Sequence, residues 1–148
     1  RMEEKEETET ESEALAGKRL LLAEDDRLCG EILCELLEDE TGRPVSIAAN
    51  GRAALEMFES ANGEYDAIIM DVQMPVMNGY EAARAIRRSG CGNAKTVPII
   101  ALTADASEES ARSAADSGMN GCLAKPVNID RLRKAVAAAL KSLSVAYR

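Results

Sequence analysis

The chain has 148 residues, a formal net charge of −8, 46% hydrophobic content, one Phe, no Trp and no His. That length suits one domain with a modest appendage, and so few rings make its core aliphatic. Neither the acidic first residues nor the rest offers the basic patch that nucleic-acid binding needs, the lack of His and of any Cys-x-x-Cys pair argues against zinc, and no apolar run approaches the ~20 residues of a membrane span.

Residues 1–16 hold seven Glu against Arg1 and Lys5. With almost nothing to bury, residues 1–17 are expected to form a flexible acidic linker or tail, leaving residues 18–145 as the folded domain. Residues 18–23 then read as a buried strand that ends on Glu24, Asp25 and Asp26. Leu28, Ile32, Leu33, Leu36 and Leu37 repeat at helical spacing until Gly42 and Pro44 stop the pattern. Residues 45–49 form a second short strand. Ala54, Leu55 and Phe58 mark a helix that runs out at Asn62-Gly63.

Residues 67–70 are an apolar run too short for a helix and without polar alternation, so they read as a strand buried on both faces, with Asp71 at its carboxyl end. Pro75 and Asn78-Gly79 make the following loop, and Tyr80, Ala83 and Ile86 give the inward face of the next helix. Residues 97–104 are the fourth strand. A weak Ser/Ala-rich helix over 107–117 follows, then a brief strand over 121–126 broken by Pro126. Ile129, Leu132, Val136, Ala139, Leu140 and Leu143 define a final amphipathic helix. The Leu and Ala stripes of all these helices are read as core. Five strands alternating with five helices predict an α/β fold with right-handed crossovers and a parallel sheet covered on both faces. In such a sheet ligands bind beyond the carboxyl ends of the strands.

Those ends carry Glu24-Asp25, Asp71, Thr103 and Lys125. Crowded carboxylates repel and raise one another's pKa unless a cation neutralises them. An all-oxygen set predicts a hard octahedral ion, Mg²⁺, which recruits phosphate, and a carboxylate beside it can take up a phosphoryl group. Taken singly, Lys125 reads as a solvated amine and Thr103 as a hydroxyl satisfying the strand end; their convergence is what points to a site. Free cysteines at positions 29, 34, 91 and 122 show no paired spacing and suit a cytoplasmic protein.

Four segments, LLLAEDD from Leu20, IIMDVQMPVMNG from Ile68, IIALTA from Ile99 and LAKP from Leu123, stand in order at separations that resemble the receiver domain of two-component response regulators. The resemblance spans residue 18 to about residue 143, and the phrasing is most similar to receivers of hybrid sensor histidine kinases. It implies a flavodoxin-like, doubly wound five-stranded sheet of order 2-1-3-4-5, a topology whose standard example in general accounts of these folds is a member of this family. It implies that Asp71 accepts phosphate from the phosphohistidine of a histidine kinase or histidine phosphotransfer protein. Mg²⁺ would be bound directly by Asp25, Asp71 and the backbone carbonyl of Gln73, and through water by Glu24. Lys125 would pair with the phosphoryl oxygens, Thr103 would move to bond the phosphate, and Gln73 and Asp105 would flank the path of attacking water. Asp26 falls outside the metal set. Cys122 departs from the pattern, which usually carries Tyr or Phe there. A phosphohydrolase of the haloacid dehalogenase type would need a second acid where Gln73 stands and a cap domain, and a binding-only pseudo-receiver would not keep the acids, Thr103 and Lys125 together. The chain, lacking His, supplies no phosphohistidine of its own.

Overall fold

The computed structural model describes residue 11 and residues 13–146, with side chains described to residue 141. Strands and helices alternate as β1 (Leu20–Ala23), α1 (Arg27–Thr41), β2 (Ser46–Ala48), α2 (Gly51–Ser60), β3 (Ala67–Asp71), α3 (Gly79–Arg88), β4 (Ile99–Thr103), α4 (Glu108–Asp116), β5 (Gly121–Ala124) and α5 (Ile129–Ala146). All four strand pairings are parallel, in the order β2-β1-β3-β4-β5. This is the expected flavodoxin-like arrangement. The Lys125–Pro126 peptide is cis.

Side-chain alternation along the strands divides the core in two. Leu20, Leu22, Ala67, Ile69, Ile100 and Leu102 face α1 and α5. Leu21, Ala23, Ile68, Met70, Ile99 and Ala101 face α2, α3 and α4. Every residue of β1, β3 and β4 is buried, as strands covered on both faces require. Four helices start on side-chain caps: Asp26, Asn50, Asn78 and Ser107 each accept from a backbone amide three residues on. These residues bond the free amides of a first turn, so helix starts follow the loop polar residues closely.

Two expectations change. The apolar residues of α1 are not all core: the helix buries Gly30, Leu33, Cys34, Leu37 and Thr41, whereas Leu28, Ile32 and Leu36 are 66%, 53% and 38% exposed. Two neighbouring rows of this helix are apolar, and its rotation lets only one of them reach the sheet.

The linker expected over residues 1–17 also ends too late. Residues 1–10 and 12 lie outside the described residues, but residues 13–15 are helical and Leu15 is fully buried beside the α1 and α5 core residues. Gly17 N–H donates to the Thr41 carbonyl at 2.7 Å and Lys18 N–H to the Leu15 carbonyl at 3.0 Å. Burying one Leu contributes roughly 1.5–3 kcal/mol, enough to offset ordering a short turn.

Candidate functional site

The site lies at the carboxyl edge of the sheet. Alternation that sends Leu20 and Leu22 toward α1 and α5 sends Glu24 the same way, and Ala67 and Ile69 do the same for Asp71. Glu24 is 4% and Asp71 3% exposed, both buried, while Asp25 is open to solvent. One carboxylate oxygen from each of the three lies within 4.8 Å of the other two.

Lys125 closes the group from beyond β5. Its ammonium donates to Asp71 Oδ2 at 2.8 Å and Glu24 Oε2 at 3.0 Å. The remaining oxygens are met by the main chain, with Gln73 N–H on Asp71 Oδ1 at 3.2 Å and Asp26 N–H on Glu24 Oε1 at 3.1 Å. Lys125 is itself set by its own N–H on the Thr103 carbonyl at 2.7 Å. Burial, together with repulsion from Asp71, raises the Glu24 carboxyl above its ordinary value, against the opposing pull of the Asp26 amide and Lys125. Burial alone would lower the Lys125 ammonium, but its bonds to Asp71 and Glu24 outweigh that and hold it above the usual lysine value.

Three carboxylates with one ammonium leave two negative charges. A divalent cation balances that, and the all-oxygen donor set selects a hard one. Asp26 is elsewhere: its Oδ1 accepts from Cys29 N–H at 3.0 Å as the α1 cap, which holds its carboxyl below the ordinary range.

Thr103 is buried at the end of β4, one residue past Leu102, the partner of Asp71 in the ladder. Its hydroxyl bonds the backbone of Asp105, 3.3 Å from both N and O, and none of the acids. Gln73 and Asp105 are both exposed at this edge. Cys122 is half-buried against the α2, α3 and α4 core, together with Tyr80.

Beside Lys125 runs an apolar groove of about 530 Å³ lined by Cys29, Ile32, Leu36, Leu102, Pro126 and Val127, among others. Its α1 side, Ile32 and Leu36, belongs to the row whose helical spacing predicts core. The signal was an excess of apolar residues, more than one buried face of a 15-residue helix can use.

The profile of the family described as "Response regulator receiver domain" matches residues 20–137. This chain is a member of that family. The receiver is 36% identical over 138 residues to "Probable histidine kinase 2" of Oryza sativa subsp. indica, covering 85% of this chain but only 13% of that protein. It thus spans a small part of the relative's length. Among solved structures it is similar to the receiver domain of the Pseudomonas aeruginosa sensor histidine kinase PA1611, which has a magnesium ion coordinated in its active-site cleft. That likeness has TM-score 0.72 and 36% identity, and covers 85% of this chain and 99% of the other. It is also similar to the receiver domain of Saccharomyces cerevisiae Ssk1, crystallised with the histidine phosphotransfer signalling protein Ypd1 (TM-score 0.73, 32% identity, 82% and 88% covered). The receiver is a signalling module of two-component phosphorelays. Among its described residues no helix is long and apolar enough to cross a membrane.

Proposed function

We propose that this receiver takes a phosphoryl group onto Asp71 from the phosphohistidine of a histidine kinase or histidine phosphotransfer protein. The observation that carries the reading is the pairing of the buried Asp71 carboxylate with Lys125 at 2.8 Å inside a trio of acids. Mg²⁺ fits the donor set, with Asp25, Asp71 and the Gln73 carbonyl as direct ligands and Glu24 acting through water. When bound, the ion offsets the negative charge of an incoming phosphoryl group.

In the transfer an Asp71 carboxylate oxygen attacks phosphorus, the bond from phosphorus to the donor's imidazole nitrogen breaks, and that nitrogen keeps the electron pair. Lys125, already on Asp71 Oδ2, passes to a phosphoryl oxygen as the carboxylate becomes an acyl phosphate. Thr103 turns its hydroxyl from Asp105 to the phosphoryl group. Gln73 and Asp105 stand where water would approach, and neither is a strong base, so self-phosphorylation and hydrolysis are slow. Ile32 and Leu36 line the groove beside Lys125 and offer the donor protein an apolar seat there. The four cysteines are free, in keeping with a cytoplasmic setting.

Intact mass after incubation with acetyl phosphate tests the reading. Wild type gains one phosphoryl group only with Mg²⁺ present, and Asp71→Asn gains none. Equal incorporation by the variant, or incorporation indifferent to the metal, rules Asp71 out.

A further inference from the structure

The segment from Asp71 to Gly79 turns back on its own start. Gln73 N–H donates to Asp71 Oδ1 at 3.2 Å, and Gly79 N–H donates to the Val72 carbonyl at 2.9 Å. A methyl at Gly79 would overlap the Asp71 carbonyl oxygen. Met74 is buried, and Asn78 and Glu81 close a capping box at the start of α3. Both feet of this loop are thus fixed, one to the strand that carries Asp71 and the other to α3.

Its far point is held by a different element. Gly51, the first residue of α2, donates its N–H to the Met77 carbonyl at 3.0 Å. A methyl group on Gly51 would overlap that carbonyl oxygen, and would lie 2.9 Å from the Met77 carbonyl carbon and 3.0 Å from the Asn78 carbonyl oxygen. These are backbone atoms, so only glycine lets the two chains approach this closely. Helix α2 is itself firmly seated: Asn50 accepts from Ala53 N–H at 2.8 Å, and Ala54 and Phe58 are fully buried.

Val76 lies between the feet and the far point. It has φ +70, and across it Met77 N–H donates to the Pro75 carbonyl at 2.7 Å. A β-branched residue rarely occupies that backbone region and persists there only where its surroundings over-determine the turn. The Val76 side chain is 77% exposed, so no packing of its own holds it. What holds the turn is Met74, buried on one side, and Met77, pinned to Gly51 on the other.

We propose that Gly51 is a positioning residue for the acceptor loop. By admitting the Met77 carbonyl against α2 it holds the Gln73 arm beside Asp71, and with it the carbonyl that Mg²⁺ would use. The metal part rests on the reading of Asp25, Asp71 and Gln73 as Mg²⁺ ligands. A side chain at position 51 displaces the loop rather than α2, because the turn at Val76 is the most strained and least packed point between them.

Two variants of the full chain test this, Gly51→Ala and Gly51→Ala/Val76→Gly. Glycine at position 76 enters and leaves the left-handed region freely, which lets Met77 swing clear of the added methyl. In metal-free buffer the Gln73 amide proton resonance of Gly51→Ala moves upfield as its bond to Asp71 Oδ1 lengthens. In calorimetric titration Mg²⁺ binds the same variant about tenfold more weakly, the lower end for losing support behind a metal ligand. Adding Val76→Gly returns both readouts most of the way to wild type. A purely structural role for Gly51 would lower the melting temperature and leave both readouts of the folded protein where they were. An unmoved Gln73 resonance in Gly51→Ala, an unchanged Mg²⁺ affinity, or equal weakening with and without Val76→Gly overturns the proposal. If Gly51→Ala does not fold, the double variant decides: folding with near wild-type affinity supports the proposal, and failure to fold or weak binding overturns it. A wild type that binds no Mg²⁺, with the Gln73 resonance moving as stated, removes the metal reading and keeps Gly51 as the residue that places the loop.

Discussion

Lys125 Nζ stands 2.8 Å from Asp71 Oδ2, and the same ammonium reaches Glu24 Oε2 at 3.0 Å. One cation thus bridges the two buried acids, and it occupies the carboxylate oxygen opposite the one held by the Gln73 amide. A metal ion bound by the acid trio would therefore neutralise the same charge as the lysine.

Lys125→Met should show this. Without the ammonium the acids keep only main-chain donors, and stability in metal-free buffer should fall by about 1–2 kcal/mol. That is less than the loss of a fully buried pair, because the Lys125 side chain is 32% exposed. Added Mg²⁺ should then raise the Tm of the variant more than that of wild type. Equal responses to Mg²⁺ in a thermal melt would mean that the two cations do not share the site.

Metal affinity should weaken with acid earlier than an ordinary carboxylate site would. Glu24 is raised above 4.5, chiefly by burial, so its proton returns, and competes with the ion, at a pH above that value as pH falls. The sign for stability is the reverse: without metal, the favourable contribution of neutral Glu24 is full below 4.5 and is lost as pH rises through the raised value. Mg²⁺ titrations at stepped pH should show affinity declining before pH 4.5 is reached, and Glu24→Gln should flatten that part of the profile. An unchanged profile in the variant would assign the proton elsewhere.

Leu15→Ala should destabilise the receiver by about 2–4 kcal/mol, the usual range for emptying a buried leucine site. Chemical denaturation is the measurement. A loss within error of zero would return the segment before Gly17 to the status of a simple tether.

Helices α1 and α5 are joined by Arg133, whose Nη2 donates to Glu40 Oε1 at 2.6 Å and Nη1 to Asp130 Oδ1 at 2.8 Å. The Glu40 bond, then the Asp130 bond, hold the guanidinium above its ordinary value despite burial. Glu40→Ala strands a charge only 11% exposed and should cost about 2–3 kcal/mol, since Asp130 still answers part of it. Adding Arg133→Met should recover most of the loss. If the double variant is no more stable than Glu40→Ala alone, the pair is not what the first substitution disturbed.

The strands are legible in the sequence because Ile68 to Met70 and Ile99 to Leu102 are unbroken apolar runs, which a strand covered on both faces needs and a surface element could not tolerate. The acids are legible because they terminate those runs. What Lys125 touches is not, since that depends on β4 pairing with β5 in the register Thr103 to Ala124, which no local pattern records. The rotation of α1 is hidden because Leu33 and Leu37 compete with Leu28, Ile32 and Leu36 for the same periodicity. Leu15 escapes notice because a single leucine beside an acidic run has no period at all. Tyr80 reads correctly as inward-facing, packed with Cys122 against the core.

The uncovered row of Leu28, Ile32 and Leu36 has a colloidal consequence. Copies of a chain with net charge −8 repel one another across many ångströms in dilute buffer, while the leucine row attracts only at contact. Salt shortens the repulsion from about 10 Å at 0.1 M to about 3 Å at 1 M and leaves the short-range attraction in place. Concentrated protein should therefore disperse best in low ionic strength and pair, face to face along α1, as salt is added.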